Sequence, residues 1–468
     1  MRFSSRLSKL ILCVLVGALL WPMEIWIEID PNAWHIFAVF FAVILSFILR
    51  PYPMGMTVLF GLLILVGTNT ITLKESLSGF ADPTVWLVIA AFLLAGAVLK
   101  TGFGTRVALW LVSKLGRTIR GLAYAICGSE FLLGSVIPSN TARGGGIHAP
   151  IVDSLARSLE TGSSQNSGAG KYLILVGAHA NLIAASTFMT GMAANPLVSK
   201  AANDIFGIDF GWGTWLLGAI VPAFFSFLTL PYIIGWLARP SSQDGRLAQQ
   251  TAQSQLAQRG TMKRNEKIML FVLVGLLLLW SSQFIHGLPT AFIAWLGVAI
   301  LLILDAQNWD DIIENAKAWE TLFWLGGLLT MASMLSEYGF IDWFVDQSAS
   351  MVEGIPGFAI ILLLGIVYFY SMYAFSMLSG HIAAMVAPFL AVCLAAGTEP
   401  MLAIAVFAYF SCLCGCMTNY STGPVIIYFG LGYVKAPRWF QIGFIISLAH
   451  ITIWLGVGLM WWKILGWW

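Results

Sequence analysis

A short polar segment interrupts a long apolar stretch in the first half of the chain. Within Leu122–Leu159, the consecutive residues Ser139, Asn140 and Thr141 are followed by Arg143 and three glycines. Hydroxyl groups, an amide and the free N–H groups of a helix N-terminus bind carboxylates well. A cation inside an apolar stretch is costly and by default marks a functional site. These residues predict a site for an organic anion.

Two plainer interpretations of this segment stay open. Ser139, Asn140 and Thr141 could serve only as a helix N-cap after Pro138, and Arg143 could be a helix-end arginine whose charge reaches the membrane surface. Glu130 and Asp153 lie in the same apolar stretch. We expect them to pair with Arg143, since ionisable residues inside a membrane usually find each other; carrying a proton is the alternative.

A similar interruption occurs in the second half. The segment Ser376–His381, which contains Ser379, Gly380 and His381, interrupts the apolar stretch 360–396. Ser379 follows Ser139 by roughly 240 residues, and nearly the same spacing separates Thr321 from Thr84. The two halves are therefore predicted to be repeats. We expect the first segment to bind one carboxylate of a dicarboxylate and the second segment to bind the other.

Two further segments are rich in small and polar residues and are predicted to unwind inside the membrane. The first, Gly177–Pro196, contains Asn181, and the second, Gly415–Pro424, contains Asn419, Ser421 and Thr422. Unwound backbone at membrane depth is tolerated where it lines a polar cavity. We expect these four side chains to line the same pocket as the two interrupted stretches.

Composition places the chain among polytopic helical membrane proteins. Of 468 residues, 59% are hydrophobic and 10% charged, and the mean hydropathy is +0.85. No basic cluster suits a nucleic acid. The six cysteines lack the spacing of a metal site and are expected to pack in the interior. We expect no cofactor, no metal site and, without a paired nucleophile and base, no enzymatic activity.

Each arm of the two interrupted stretches is shorter than the roughly 20 residues needed to cross a bilayer. They are predicted to form re-entrant hairpins, accompanied by about eleven transmembrane helices. Basic residues precede the first hairpin (Lys100–Arg120) and acidic residues precede the second (Glu337–Glu353). By the positive-inside rule, the hairpins enter from opposite sides, the N-terminus is cytoplasmic and the C-terminus is outside. Such inverted repeats are typical of secondary transporters.

The predicted organisation divides the chain into five parts. They are N-terminal scaffold helices (1–120), the first hairpin with transport-domain helices (121–238), a cytoplasmic loop (239–267), second-half scaffold helices (268–350), and the second hairpin with transport-domain helices (351–468).

On these residues the chain resembles the divalent anion/sodium symporter superfamily, whose members carry succinate, citrate and related di- and tricarboxylates. The segments Pro138–Arg143 and Thr418–Pro424 are most similar to its branch of 2-oxoglutarate/malate translocators and citrate/succinate exchangers. The resemblance implies a homodimer in which a transport domain moves as an elevator against a scaffold. A plastid homologue resembles this branch too, but the absence of a Ser/Arg-rich transit segment favours a bacterial plasma membrane as the location.

The chain departs from the sodium-coupled members in its second hairpin, where they repeat Ser-Asn-Thr and this sequence has Ser379-Gly380-His381. Fixed cations could replace sodium, and Arg143, His381 and His179 are the candidates. An empty domain carrying uncompensated charge would cross poorly, so the hypothesis is sodium-independent exchange of dicarboxylates such as 2-oxoglutarate, malate or succinate. Symport coupled to sodium or protons is the alternative. His381 and His179 could also be neutral interior histidines.

Overall fold

The computed structural model describes residues 6–137, 139–160 and 168–468. Pro138 and most of the loop at 161–170 therefore lie outside the described residues. The described residues are helical, with no strand among them. The helices of the first half are α1 (Arg6–Leu20), α2 (Pro31–Leu49), α3 (Met54–Gly67), α4 (Leu73–Ser76), α5 (Pro83–Thr101), α6 (Phe103–Leu115), α7 (Ile119–Gly134), α8 (Ala149–Leu159), α9 (Ala169–Thr187), α10 (Asn195–Phe206), α11 (Trp212–Ala238) and α12 (Arg246–Arg259).

The second half repeats much of this order. Its helices are α13 (Arg264–Ser281), α14 (Gln283–His286), α15 (Thr290–Ile303), α16 (Trp309–Ile313), α17 (Ala316–Glu337), α18 (Phe340–Val352), α19 (Gly357–Ser371), α20 (Leu378–Ala395), α21 (Pro400–Leu413), α22 (Gly423–Gly430), α23 (Ala436–Ile453) and α24 (Leu459–Ile464). The series α5 to α11 and α17 to α23 match in order, each with an interrupted hairpin followed by an unwound segment.

Local sequence sets the helix ends. Before α5, the Asp82 carboxylate accepts a hydrogen bond from the Thr84 N–H, and Pro83 occupies the first helical position, where its missing N–H costs nothing. Gly102 ends the helix with φ +74°, a left-handed conformation that favours glycine. Such caps position α5 and the adjoining α6 ahead of the first hairpin.

The first hairpin consists of α7, a non-helical break and a second arm that opens as a π-helix, Thr141–His148, before continuing as α8. The Ala149 N–H accordingly bonds the Gly144 carbonyl, five residues back. A Cβ at Gly144 would lie 2.6 Å from Asn181 Nδ2 and 2.8 Å from Pro424 Cβ. Glycine at this position therefore permits the close approach of α9 and α22 to the hairpin.

The second hairpin breaks earlier than the sequence indicates. The interruption was expected to continue through His381, but α20 begins at Leu378, after an extended Met377. The Leu378 N–H bonds the Ser421 carbonyl at 2.8 Å, so a contact from the unwound segment of the same half starts the helix. Ser379 and Gly380 consequently lie in the first turn of α20.

The unwound segments also differ in extent from the expectation. Helix α9 stays regular through Thr187, and the chain leaves it only between Phe188 and Ala194. Asn181 therefore lies on an intact helix. In the second half, residues 418–422 form the predicted non-helical segment between a 3₁₀ turn (Cys414–Met417) and α22, with Thr418 and Thr422 extended.

The two halves pack reciprocally around these breaks. From the first half, α10 packs against α20 of the second hairpin; from the second half, α22 packs against the π-helix and α8 of the first hairpin. Each hairpin is thus supported by the other half. Among the described residues, eight helices are long and apolar enough to span a membrane. The count of eleven crossings, the inversion of the repeats and the five-part division stay predictions.

Candidate substrate site

A cavity of about 340 Å³ lies where the two hairpins and the two unwound segments meet. For brevity, residues 139–141 are called the first tip and residues 376–380 the second tip. Six of the predicted site residues line the cavity, and they come from both tips and from the second unwound segment: Ser139, Asn140, Thr141, Ser379, Ser421 and Thr422. Met192 and Ala193 of the first unwound segment complete this side.

Three helical segments begin at the wall of the cavity. The second arm of the first hairpin begins at Thr141, α20 begins at Leu378 and α22 begins at Gly423. The first N–H groups of a helix have no partner within that helix, and its N-terminus carries a partial positive charge. The cavity is therefore surrounded by groups that attract an anion, even where no charged side chain is present.

Hydrogen bonds fix the relative positions of the lining groups. Asn140 Nδ2 donates to Thr422 Oγ1 at 2.9 Å and joins the first tip to the unwound segment of the other half. Ser421 Oγ donates to the Gly415 carbonyl at 2.7 Å. Ser139 Oγ accepts from the Ala142 N–H at 3.1 Å, so Ser139 caps the π-helix while also lining the cavity.

The opposite wall contains charged residues that the sequence reasoning missed. Helix α17 contributes Lys317, Glu320, Thr321 and Trp324. Lys317 and Glu320 are exposed, one helical turn apart. Sequence reasoning began this helix at Thr321 and left both charges in the preceding loop. The sequence does carry a signal for them: two opposite charges three residues apart, which place both side chains on one face of a helix, directly before an apolar stretch.

Arg143 does not line the cavity. Its side chain is fully buried, and its Nε lies 2.7 Å from Glu130 Oε2. Nη1 donates to the carbonyls of Ile137 (2.7 Å) and Gly191 (3.1 Å), and Nη2 donates to that of Asn181 (3.3 Å). The expected pairing with Glu130 is confirmed. Arg143 thus binds α7, the chain before the first tip, α9 and the first unwound segment together.

Asn181 and His148 complete this buried group. Asn181 Nδ2 donates to Glu130 Oε2 at 3.0 Å and to the Asn140 carbonyl at 3.3 Å. His148 Nδ1 lies 3.1 Å from Glu130 Oε1 and 3.0 Å from the Arg143 carbonyl. Asn181 therefore supports the first tip from behind rather than lining the cavity. The other carboxylate, Asp153, pairs with Arg157 at 2.9 Å instead, so its expected pairing with Arg143 is wrong.

The remaining predicted residues also lie away from the cavity lining, three in the second half and His179 in the first. His381 Nε2 is 2.8 Å from Ser371 Oγ and 3.1 Å from the Tyr368 carbonyl, so the ring is held by the first arm of its own hairpin. A Cβ at Gly380 would be 3.4 Å from Phe47 Cβ, on the α2 side. Asn419 is half-buried outside the lining, and His179 is buried beside Trp439.

The sequence matches the family described as "Sodium:sulfate symporter transmembrane region" over residues 4–468. The chain belongs to this family. It is 38% identical to the putative malate transporter YflS of Bacillus subtilis, with 99% of this chain and 97% of the relative covered. It is 37% identical to the chloroplastic dicarboxylate transporter 1 of Arabidopsis thaliana, with 99% and 84% covered. The family and these relatives are transporters, not enzymes.

A third relative, the L-tartrate/succinate antiporter of Shigella sonnei, is 30% identical, with 92% of this chain and 93% of the relative covered. Among solved structures, the Alcanivorax borkumensis YdaH transporter shares the fold with a TM-score of 0.57 and 14% identity, covering 86% of this chain and 89% of that one. The all-helical transporter architecture predicted for this family member agrees with that likeness.

Proposed function

We propose that this protein exchanges dicarboxylates across a membrane without sodium. The observation that carries the proposal is the cavity at which three helix N-termini converge with hydroxyl and amide side chains of both tips. Its volume of about 340 Å³ lies in the range typical of small-molecule sites. A dicarboxylate needs donors at two separated points, and the two tips face the cavity from different halves of the chain.

The first carboxylate binds at the first tip, where Asn140 and Thr141 line the cavity and the π-helix begins. The second carboxylate binds at Ser379, where the N–H groups in the first turn of α20 lack partners within the helix. Ser421 and Thr422 contribute from between the tips. Lys317 supplies a positive charge from α17. Among the described residues that line the cavity, it is the one with a cationic side chain.

The placement of Arg143 changes the physical basis of exchange. Its charge is matched by Glu130 inside the protein, so it cannot serve as the uncompensated cation that holds back an empty domain. Unpaired N–H and hydroxyl donors take that role. A buried donor without a partner costs about 1–3 kcal/mol, and the substrate carboxylates satisfy several such donors at once. An empty site would have to bury them against the scaffold, which disfavours the return step without a substrate.

The relatives support this choice of substrate and coupling. One is a putative malate transporter, one a dicarboxylate transporter and one an L-tartrate/succinate antiporter. Di- and tricarboxylates such as 2-oxoglutarate, malate, succinate and citrate are therefore the compounds to test. Cation-coupled symport remains the second candidate, favoured by the family description, which names sodium.

The movement proposed is an elevator in which both hairpins travel together against a scaffold, within a homodimer. The reciprocal packing of α10 on α20 and of α22 on the first hairpin supports a single moving body, because neither tip is held by its own half alone. The proposed setting is a bacterial plasma membrane with a cytoplasmic N-terminus and an extracytoplasmic C-terminus, from the charge pattern.

The experiment that tests the function is uptake of labelled malate or 2-oxoglutarate into proteoliposomes that are preloaded with a dicarboxylate or left empty, with and without a sodium gradient. Uptake only into preloaded vesicles, indifferent to sodium, supports exchange. Sodium-driven uptake into empty vesicles would replace exchange with symport. Absence of transport for every dicarboxylate under both conditions would overturn the substrate class.

A further inference from the structure

A groove runs between α7 and α11, apart from the substrate cavity. Its first part is an apolar cavity of about 660 Å³, lined by Tyr124–Phe131 of α7 and Ile220–Leu228 of α11. Its second part, about 160 Å³, is lined by Ile119 and Arg120 of α7 and by Pro231–Arg239 at the end of α11. Because consecutive stretches of both helices line the two parts, the parts lie end to end.

Two tyrosines bridge the helices where the parts meet. Pro231, inside α11, has no N–H to offer the carbonyl of Phe227, four residues earlier. The Tyr124 hydroxyl donates to the Leu228 carbonyl at 2.8 Å, and the Tyr172 hydroxyl donates to the Pro231 carbonyl at 3.1 Å. These bonds join α11 to α7 and to α9 beside the apolar part of the groove.

The smaller part of the groove is basic and aromatic. The Arg120 guanidinium carbon lies 4.5 Å from the centre of the Tyr232 ring, a cation–π distance. Arg239 follows the last turn of α11, and Trp236 is 63% exposed. None of the described residues that line this part is acidic. Two arginines, Arg120 and Arg239, thus line this part without a carboxylate in the lining to balance them.

We propose that this groove binds one anionic glycerophospholipid, with its phosphate between Arg120 and Arg239 and an acyl chain along the apolar part. A basic cavity next to an apolar one, along the same pair of helices, matches a molecule with a charged head and a hydrocarbon tail. The basic end lies on the side that the charge pattern predicts to be cytoplasmic, where juxtamembrane arginines attract anionic headgroups and Trp and Tyr occupy the interface. A free phosphate would use only the basic part and leave the apolar part without a role.

The test uses the full-length protein, purified and delipidated in detergent, and titrated with phosphatidylglycerol, phosphatidylcholine or glycerol 3-phosphate while native mass spectrometry records bound lipid and oligomeric state. We expect phosphatidylglycerol to bind more tightly than phosphatidylcholine. Each arginine near a headgroup contributes about 1 kcal/mol, or about five-fold. The double variant R120Q/R239Q should therefore weaken phosphatidylglycerol binding about twenty-five-fold, whereas the exposed Arg246→Gln control on α12 should leave it within about two-fold.

A second pair of variants tests the apolar part independently of charge. Gly128 lines the apolar part, and a Cβ there would meet only Leu111 Cδ1 at 3.7 Å. Gly128→Ala should leave lipid binding unchanged, whereas Gly128→Leu extends into the apolar part and should weaken binding of phosphatidylglycerol at least about five-fold, since each displaced methylene loses about 0.8 kcal/mol of burial.

Three outcomes would overturn the proposal. Equal binding of phosphatidylcholine would remove the role of the arginines. Equal competition by glycerol 3-phosphate, with no effect of Gly128→Leu, would indicate a free-phosphate site. Loss of an oligomer, rather than loss of lipid, in either set of variants would show that a second copy of the chain covers the groove.

Discussion

Neutralising either member of the buried Glu130–Arg143 pair should destabilise the protein strongly. Arg143 makes four hydrogen bonds, one to Glu130 and three to backbone carbonyls. Arg143→Gln would leave the Glu130 carboxylate buried without its cation, and Glu130→Gln would leave a buried guanidinium. Removing one partner of a buried ion pair typically costs about 3–5 kcal/mol. We expect each single variant to lose stability in this range.

The double variant E130Q/R143Q separates the charge effect from the loss of shape. In the double variant no buried charge is left without its partner. Its loss of unfolding free energy should therefore be smaller than the sum of the losses of the two single variants by at least about 2 kcal/mol. The free energy of unfolding is measured by denaturant titration in mixed micelles. The matched control is Arg157→Gln, which removes an ion pair of similar length, 2.9 Å, on the same hairpin. Arg157 is 74% exposed, so its loss should cost under about 1 kcal/mol.

The same variants decide whether Arg143 binds substrate. If Arg143 only positions the first tip, the double variant E130Q/R143Q should regain stability and some transport together, relative to the single variants. The interpretation is refuted if Arg143→Gln unfolds at the wild-type denaturant concentration yet loses dicarboxylate binding. That outcome would mean that Arg143 binds the substrate directly, as its position in the sequence beside Ser139, Asn140 and Thr141 suggests.

Further predictions concern the cavity itself. Lys317→Gln should raise the KM for a dicarboxylate roughly five-fold, and Lys317→Arg should leave it unchanged, because the positive charge attracts the anion. Glu320→Gln should lower the KM, because the Glu320 carboxylate repels the anion. Initial exchange rates measure the KM of all three variants, and equal effects of Lys317→Gln and Glu320→Gln would contradict the charge assignment. Asn140→Ala and Thr422→Val should each reduce the exchange rate about ten-fold, because each breaks the hydrogen bond from Asn140 Nδ2 to Thr422 Oγ1. The double variant should reduce the rate hardly further, and additive losses would argue against a shared role. Arg50→Gln removes the hydrogen bond from Arg50 Nη2 to the Ser376 carbonyl, which joins the end of α2 to the second tip. The loss should change the rate at which a thiol reagent labels a cysteine introduced at Ser379. An unchanged labelling rate would show that this bond does not hold the second tip in place.

Sequence patterns predicted the helices and the hairpin breaks because these depend on local signals. Apolar stretches, the Asp82–Pro83 cap and the polar tips are visible in the chain itself. The side on which a tip residue lies is not a local property. In an α-helix, Arg143 would share a face with Asn140, three residues earlier. The π-helix at 141–148 changes that register, and the carboxylate of Glu130, on the other arm, binds the guanidinium inside.

Lys317 was missed for a different physical reason. It reaches the cavity from α17, far in sequence from either tip, and only the packing of α17 beside α3 and α5 brings it there. His381 illustrates the converse. Its spacing matches that of Thr141 in the repeat, but the Ser371 hydroxyl and the Tyr368 carbonyl hold its ring within the second hairpin.

Two of the cavity residues, Thr141 and Ser379, differ from the supporting residues in that the protein does not satisfy their hydroxyls, whereas Ser139, Asn140, Ser421 and Thr422 line the cavity and also bond within the protein. Arg143, Asn181 and His381 have polar partners inside the fold, and none of them lines the cavity. The hydroxyls of Thr141 and Ser379 line it and have no hydrogen-bond partner within the described part of the chain. Residue type alone does not separate these groups, since both contain good donors. Folding satisfies the first group, and the second is left for a ligand. If an empty site must bury those donors to cross the membrane, substrate is the group that completes them, and exchange follows from hydrogen bonding rather than from a fixed charge.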